Sequence, residues 1–260
     1  MKWLLYCLVA ILSLLAPAQA KTLVKVGAYE FPPYVQIQQQ QASGLTVELI
    51  SQLNQLQQQY HFELVLTTAV RRHQDFQQGL FDAIFFEDIN WGWHNKGLAM
   101  QQSPAFARDD EVFIALLSKA GSQQWFDNLQ GKSIAGILGY HYRIANYETD
   151  PARLETEYLM IPVTDHFASV ELVLKGRTDT AIVTRTFIKQ YLSVNPQHHD
   201  ALLISERIDQ SYGMQLLLRE SHPLDIATLY QWLHLILQQP VYHHALAEHG
   251  LQLLPVMPPQ

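Results

Sequence analysis

The chain has 260 residues, of which 48% are hydrophobic and 16% charged, with a formal net charge of −7, one cysteine and twelve histidines. That acidic balance, without clustered Lys and Arg, excludes nucleic acid as a partner. A single cysteine, Cys7, excludes a disulfide framework, structural thiolate metal sites and, once the leader is removed, a cysteine nucleophile.

The first twenty residues read as an export signal, with Lys2 as the charged start, an apolar run from Trp3 to Leu15, and Ala18-Gln19-Ala20 as the cleavage site. The alternative is an uncleaved anchor, but the run stops at Pro17, short of the ~20 apolar residues a spanning helix needs. Cys7 has too little hydrophobic sequence before it for a lipid anchor. The mature chain is therefore expected to start at Lys21, carry a net charge of −8 after loss of Lys2, and reside in the periplasm as a soluble monomer.

Leu23 to Gly27 is a short strand, and the prolines in Tyr29-Glu30-Phe31-Pro32-Pro33-Tyr34 make the next segment a rigid aromatic loop. After a Gln-rich stretch and Ser43-Gly44, the spacing of Leu45, Leu49, Leu53 and Leu56 predicts one face of a helix. Phe62, Leu64 and Leu66 alternate as a strand. Gly79-Leu80-Phe81-Asp82-Ala83-Ile84 then recurs in outline as Gly176-Arg177-Thr178-Asp179-Thr180-Ala181-Ile182. Each copy reads as a glycine ending a helix in the left-handed conformation, a turn, and a strand buried on both faces.

Lys132 to Leu138 is a strand running into Gly139-Tyr140-His141-Tyr142, an echo of the first strand and its loop. Strand, helix and strand in each half predict two α/β units with parallel sheets and right-handed crossovers. One undivided doubly wound sheet with a chance repeat is the competing reading. Tyr212 to Leu218 is a strand, helices come next from Leu224 to Leu237 and Val241 to His249 with Pro240 between them, and the tail from Leu254 is irregular.

These elements resemble, in order, those of the family-3 extracellular solute-binding proteins, the amino-acid-binding type of ABC importers. The resemblance rests on Val24 to Gly27 with Phe31-Pro32-Pro33-Tyr34, Gly44 to Leu49, Gly79 to Ile84, Leu129 to Gly136, Gly176 to Ile182, and the closing helices near His249-Gly250. It implies a type II periplasmic-binding-protein fold of two α/β lobes joined by two crossing strands. By analogy the first lobe holds 21–110 plus 212–260, the second 111–211, and a small polar solute is bound between them for an ABC permease or a membrane sensor. Neither a cofactor nor a metal is implied.

Ligands in open parallel sheets bind beyond the carboxyl ends of the strands. That rule selects Tyr29, Phe31 and Tyr34, then Glu87, Asp88 and Asn90, then Tyr140 and His141, and finally Thr184 and Arg185. Phe31 matches the family's stacking aromatic, although all three aromatics of the first loop are equally readable as packing. Gly139-Tyr140-His141 precedes an expected helix, so its N–H groups form either an anion site or an ordinary turn. The family's carboxylate-clamping arginine has no match in Trp91 to Gly97, and Thr184 stands where its aspartate belongs. Glu87 and Asp88 replace small hydroxyl residues, which disfavours a simple carboxylate ligand. They point to a cationic or donor head group, with an amine or a modified amino acid as the solute, unless Lys96 or Arg185 restores an anion clamp; a solvated loop edge is the plain alternative.

Two other classes remain. Glu87, Asp88 and His94 provide acid and base groups for a periplasmic dehydratase-like enzyme, without a spacing that demands it. His198-His199 and His243-His244 suggest metal capture, but no ligand set converges by spacing.

Overall fold

The structure is a computed structural model that describes residues 20–255. The export signal up to Gln19 and the last five residues of the tail lie outside the described residues.

The first half opens with β1 (Thr22–Ala28), a hairpin of β2 (Gln36–Gln38) and β3 (Gln41–Ser43), helix α1 (Leu45–Leu56), β4 (Tyr60–Leu66), α2 (Arg72–Gln77), β5 (Ala83–Glu87) and β6 (Met100–Gln102). The long strand β7 (Ala107–Leu116) leads through α3 (Leu117–Ala120) into β8 (Ile134–Ile137), α4 (Pro151–Tyr158), β9 (Met160–Val163), α5 (His166–Leu174), β10 (Thr180–Thr184) and α6 (Arg185–Val194). A second long strand, β11 (Leu202–Arg219), returns to the first half, which α7 (Ile226–Leu237), α8 (Pro240–Glu248) and β12 (Gln252–Leu253) complete.

The same strand order occurs twice. In the first lobe β1 lies between β4 and β5, all parallel, and in the second β8 lies between β9 and β10, again all parallel. An antiparallel strand closes each trio, β11 beside β5 and β7 beside β10. β7 and β11 also pair with each other along their length, so they are the two strands that cross between lobes.

The sequence repeat has a physical basis. Gly79 and Gly176 adopt φ values of 75° and 63° at the ends of their helices, and every residue of β5 and β10 is buried. Each repeat aspartate then ties its strand to the central one: Asp82 accepts from Lys25 N at 3.0 Å, and Asp179 from Ser133 N at 2.8 Å.

In α1 the expected stripe is buried at Leu45, Leu49, Ile50 and Leu53, while Leu56 is exposed. β11 is 18 residues long, far beyond the expected Tyr212 to Leu218. Its register shifts between Ile204 and Ile208 and again before Gln210, which breaks the alternation that marks a strand in sequence. The Gln-rich stretch turns tightly at Gln39 and Gln40, with φ of 49° and 64°, without a residue that announces a hairpin.

Gly44 sets the path of the aromatic loop. Its φ is 106°, and a Cβ there would lie 2.6 Å from Pro33 O and 2.9 Å from Tyr34 O. Gly79 also has positive φ but has open space around it. Gly44→Ala is therefore expected to destabilise well beyond the ~1 kcal/mol of Gly79→Ala. Urea denaturation of the two variants checks the order, and equal losses would contradict it.

Candidate functional site

The carboxyl ends of β1, β4, β5, β8, β9 and β10 meet between the lobes, where the strand-end rule places ligands. Their loops are in contact. Tyr140 donates from its hydroxyl to Glu30 O at 3.0 Å, and a Cβ on Gly139 would lie 2.8 Å from Val70 N.

Arg72 is the hub of this contact. It stands at the first position of α2, just after the β4 loop, and is only 1% exposed. Its Nε lies 2.9 Å from Glu87 Oε1, an ion pair without hydrogen-bond alignment. Nη1 donates to Ala69 O and, at 3.1 Å, to Gly139 O of the second lobe; Nη2 approaches Trp91 O at 3.3 Å and His141 Nδ1 at 3.4 Å. An arginine has five N–H donors, and five acceptors surround this one. The guanidinium also lies 5.2 Å from the centre of the Tyr29 ring.

Aromatic rings fill the space around it. Tyr29 stacks on Phe31 at 5.9 Å, and both meet the edge of Tyr140 at 6.2 and 5.7 Å. Trp91 packs on Phe31 at 5.7 Å and on Tyr212 at 4.7 Å. Below them, carboxyls line the crossing strands. Asp109 accepts from Tyr34 OH at 3.0 Å and from Thr186 Oγ1 of the second lobe at 2.5 Å. Burial pushes Asp109 up to about 6, and pushes Glu111, which accepts from Gln210 Nε2, well above the carboxylate range.

Of the residues selected from sequence, Tyr29, Phe31, Tyr34, Glu87, Tyr140 and His141 come together here. Asp88 accepts from Asn90 N and Asn90 Nδ2, both at 2.8 Å, and from Gly213 N at 3.1 Å, so it holds its own loop and ties it to β11. Thr184 is buried and caps α6 by accepting from Phe187 N. Asn90 and Lys96 are exposed, and Arg185 reaches back to Asp110 at 3.4 Å.

The helix expected after Gly139-Tyr140-His141 is a single 3-10 turn, Arg143–Ala145. Its free N–H groups at Arg143 and Ile144 are already taken by Asp209, at 2.8 and 2.9 Å. A carboxylate of the crossing strand thus caps the turn that follows Gly139-Tyr140-His141.

Arg72, His73, Trp91, Asp109, Glu111 and Gln210 were not found from sequence. The strand-end rule, applied to the loop after Leu66 as it was to four others, reaches Arg72. The crossing-strand carboxyls carry no such signal, because they are made partners by pairing between residues 109–111 and 210–212.

Three histidines here are held neutral. Burial lowers His73 to about 2 and His141 and His166 to about 3, with the Arg72 charge as second cause for the first two. His166 is fully buried between Tyr140 and Phe187, with ring centres 5.8 and 4.8 Å away, and neither ring nitrogen has a partner among the described residues.

Two measurements test this account. Arg72→Ala strands Glu87 as an unpaired buried charge and is expected to cost ~3–5 kcal/mol. Arg72→Met with Glu87→Met is expected to recover most of that, yet to part the lobes; a larger radius of gyration by small-angle scattering checks it. For His166, the unfolded form takes up a proton below about pH 6.5 and the folded form does not until about 3, so this residue makes stability fall as pH falls between those values. The raised carboxyls act in the opposite sense between about 4 and 6, so the test is a difference. His166→Phe is expected to flatten the fall by ~1.4 kcal/mol per pH unit in that window, read from urea midpoints.

No family model matches the sequence, and no curated protein matches it. Solved structures do. A histidine kinase sensor domain with similarity to periplasmic binding proteins superposes with a TM-score of 0.68 at 16% identity, covering 91% of this chain and 99% of that one. ArgBP from T. maritima gives 0.64 at 14%, covering 88% and 95%. An ancestral amino-acid-binding protein, a precursor of cyclohexadienyl dehydratase, gives 0.63 at 15%, covering 87% and 94%. With the twofold strand order and the two crossing strands, these likenesses identify the architecture as the two-lobed, type II periplasmic-binding-protein fold.

Proposed function

We propose that the chain captures a small polar solute between its lobes in the periplasm, performs no chemistry on it, and delivers it to a membrane transporter. The observation that carries the reading is the convergence of all six parallel-strand ends on one inter-lobe contact, with Arg72 of the first lobe reaching Gly139 and His141 of the second. A solute that touches both sides of such a contact stabilises the closed state in proportion to its differential affinity. We place the hinge at Asp110–Glu111 and Ser211–Tyr212, so that 21–110 with 212–260 move against 111–211. No described helix is long and apolar enough to cross a membrane.

The occupied state of the acids supports binding over catalysis. Glu87 is paired with Arg72, Asp88 is held by three N–H groups, and His94 is exposed, so the acid and base groups of a dehydratase-like reading are not assembled. The same engagement weighs against a cationic head group seated directly on Glu87 and Asp88. Signalling is the second reading of the output, favoured by the likeness to a sensor domain over 91% of the chain.

A solute at a hundredfold excess over its Kd is expected to add about 2.7 kcal/mol of stability. A thermal-shift panel of amines, amino acids and modified amino acids, followed by calorimetry and native mass spectrometry of protein purified without denaturation, tests this. Failure of every compound, together with a chain that carries no small molecule from its host, would sink the proposal.

A further inference from the structure

Aromatic rings and the Arg72 guanidinium pack at the inter-lobe contact, and a groove of about 490 Å³ is open at its rim. Glu30, Ile37 and the loop Thr67–Val70 form one wall; Ile137–Leu138 and Pro162–Thr164 form the other. These are the residues beyond β1 and β4 on one lobe and at the ends of β8 and β9 on the other. An occupant would therefore touch both lobes.

The groove is apolar at one end and acidic at the other. Val70 is 57% exposed and Leu138 36%, so the apolar wall is open to solvent. Glu30 accepts from Ile37 N through Oε2 at 2.7 Å, and its Oε1 takes no protein donor among the described residues. Half-burial raises its pKa, and the charged group acting on it is another acid, Asp165, at the same end. The hydroxyls of Thr67 and Thr164 donate to Asp75 at 2.6 Å and Asp165 at 2.7 Å, so neither supplies Glu30 with a proton. A partly buried carboxylate without a cation beside an uncovered apolar wall is complementary to an alkylammonium group: the charge to Glu30 Oε1, the hydrocarbon to Val70 and Leu138.

We propose that this groove is the solute subsite, and that it takes small primary amines with an apolar body. The inference rests on the inter-lobe binding reading and names the chemistry of its site.

The probes are n-hexylamine, n-hexanol and hexanoate, titrated by calorimetry near pH 7 into the mature chain and into Glu30→Gln and Leu138→Asn. Glu30→Gln keeps an acceptor for Ile37 N, and circular dichroism of each variant verifies folding. The expected result is binding of hexylamine but not hexanoate, weakened at least tenfold in Glu30→Gln, with hexanol indifferent to that change. Leu138→Asn is expected to weaken hexylamine and hexanol alike. Hexylamine binding unchanged in Glu30→Gln overturns the proposal. So does an absence of hexylamine binding, the result if the groove is covered by a partner protein instead. If another solute binds and is lost in the Arg72→Met/Glu87→Met variant while indifferent to Glu30, the inter-lobe reading survives and the groove assignment falls. If no solute binds at all, both fall.

Discussion

The ion pair of Arg72 and Glu87 is the contact around which the two lobes are arranged. Both side chains are essentially removed from water, which neither could tolerate alone. The pair is secured because the guanidinium's remaining donors find backbone carbonyls and an imidazole, and one of those carbonyls, at Gly139, belongs to the other lobe. In the lobe motion proposed above, closure would complete the solvation of a buried charge, and opening would return the outer face of Arg72 to water.

Burial governs the protonation of the groups around that pair. Desolvation opposes protonation of His73 and His141, and the buried Arg72 cation beside them acts in the same direction, so both imidazoles stay neutral: His73 donates from Nε2 to Trp91 O at 2.9 Å, and His141 Nδ1 faces the Arg72 guanidinium as an acceptor. Farther down the crossing strands, where the cation's influence is weaker, desolvation raises Asp109 and Glu111. Tyr34, Thr186 and Gln210 supply donors there, so each acid is held by neutral hydrogen bonds. The contact thus contains one compensated ion pair within a set of groups that burial drives toward neutrality.

How much of this was legible in the sequence depends on the range of the interactions. The paired Gly-x-x-Asp turns were readable because a left-handed glycine and a two-residue turn are local, whereas the tie of Asp82 to Lys25 N across the sheet is not and showed only in the structure. The α1 stripe was readable for the same reason. The hairpin at Gln39 and Gln40 was not, because glutamine has no preference for positive φ, and the bulges of β11 hid a strand more than twice the expected length. In the site, Glu87 stood out as an unexpected acid, but its partner lies fifteen residues earlier at the start of α2. What reads in sequence as a bare pair of acids, Glu87 and Asp88, is one half of an ion pair and one loop clasp.

The position of the solute then decides its energetics. A molecule entering the interior must take acceptors away from Arg72 or displace packed rings, and its affinity is reduced by whatever that disruption costs. A molecule seated at the rim leaves the Arg72 contacts intact and adds its own to both lobes. Because apparent affinity scales with the fraction of protein already in the binding-competent state, a closure that the protein completes with its own arginine favours the rim. The charge that remains available there is Glu30, on the loop whose path Gly44 fixes. The latch and the solute would then reinforce one another, each stabilising the closed form that the other requires.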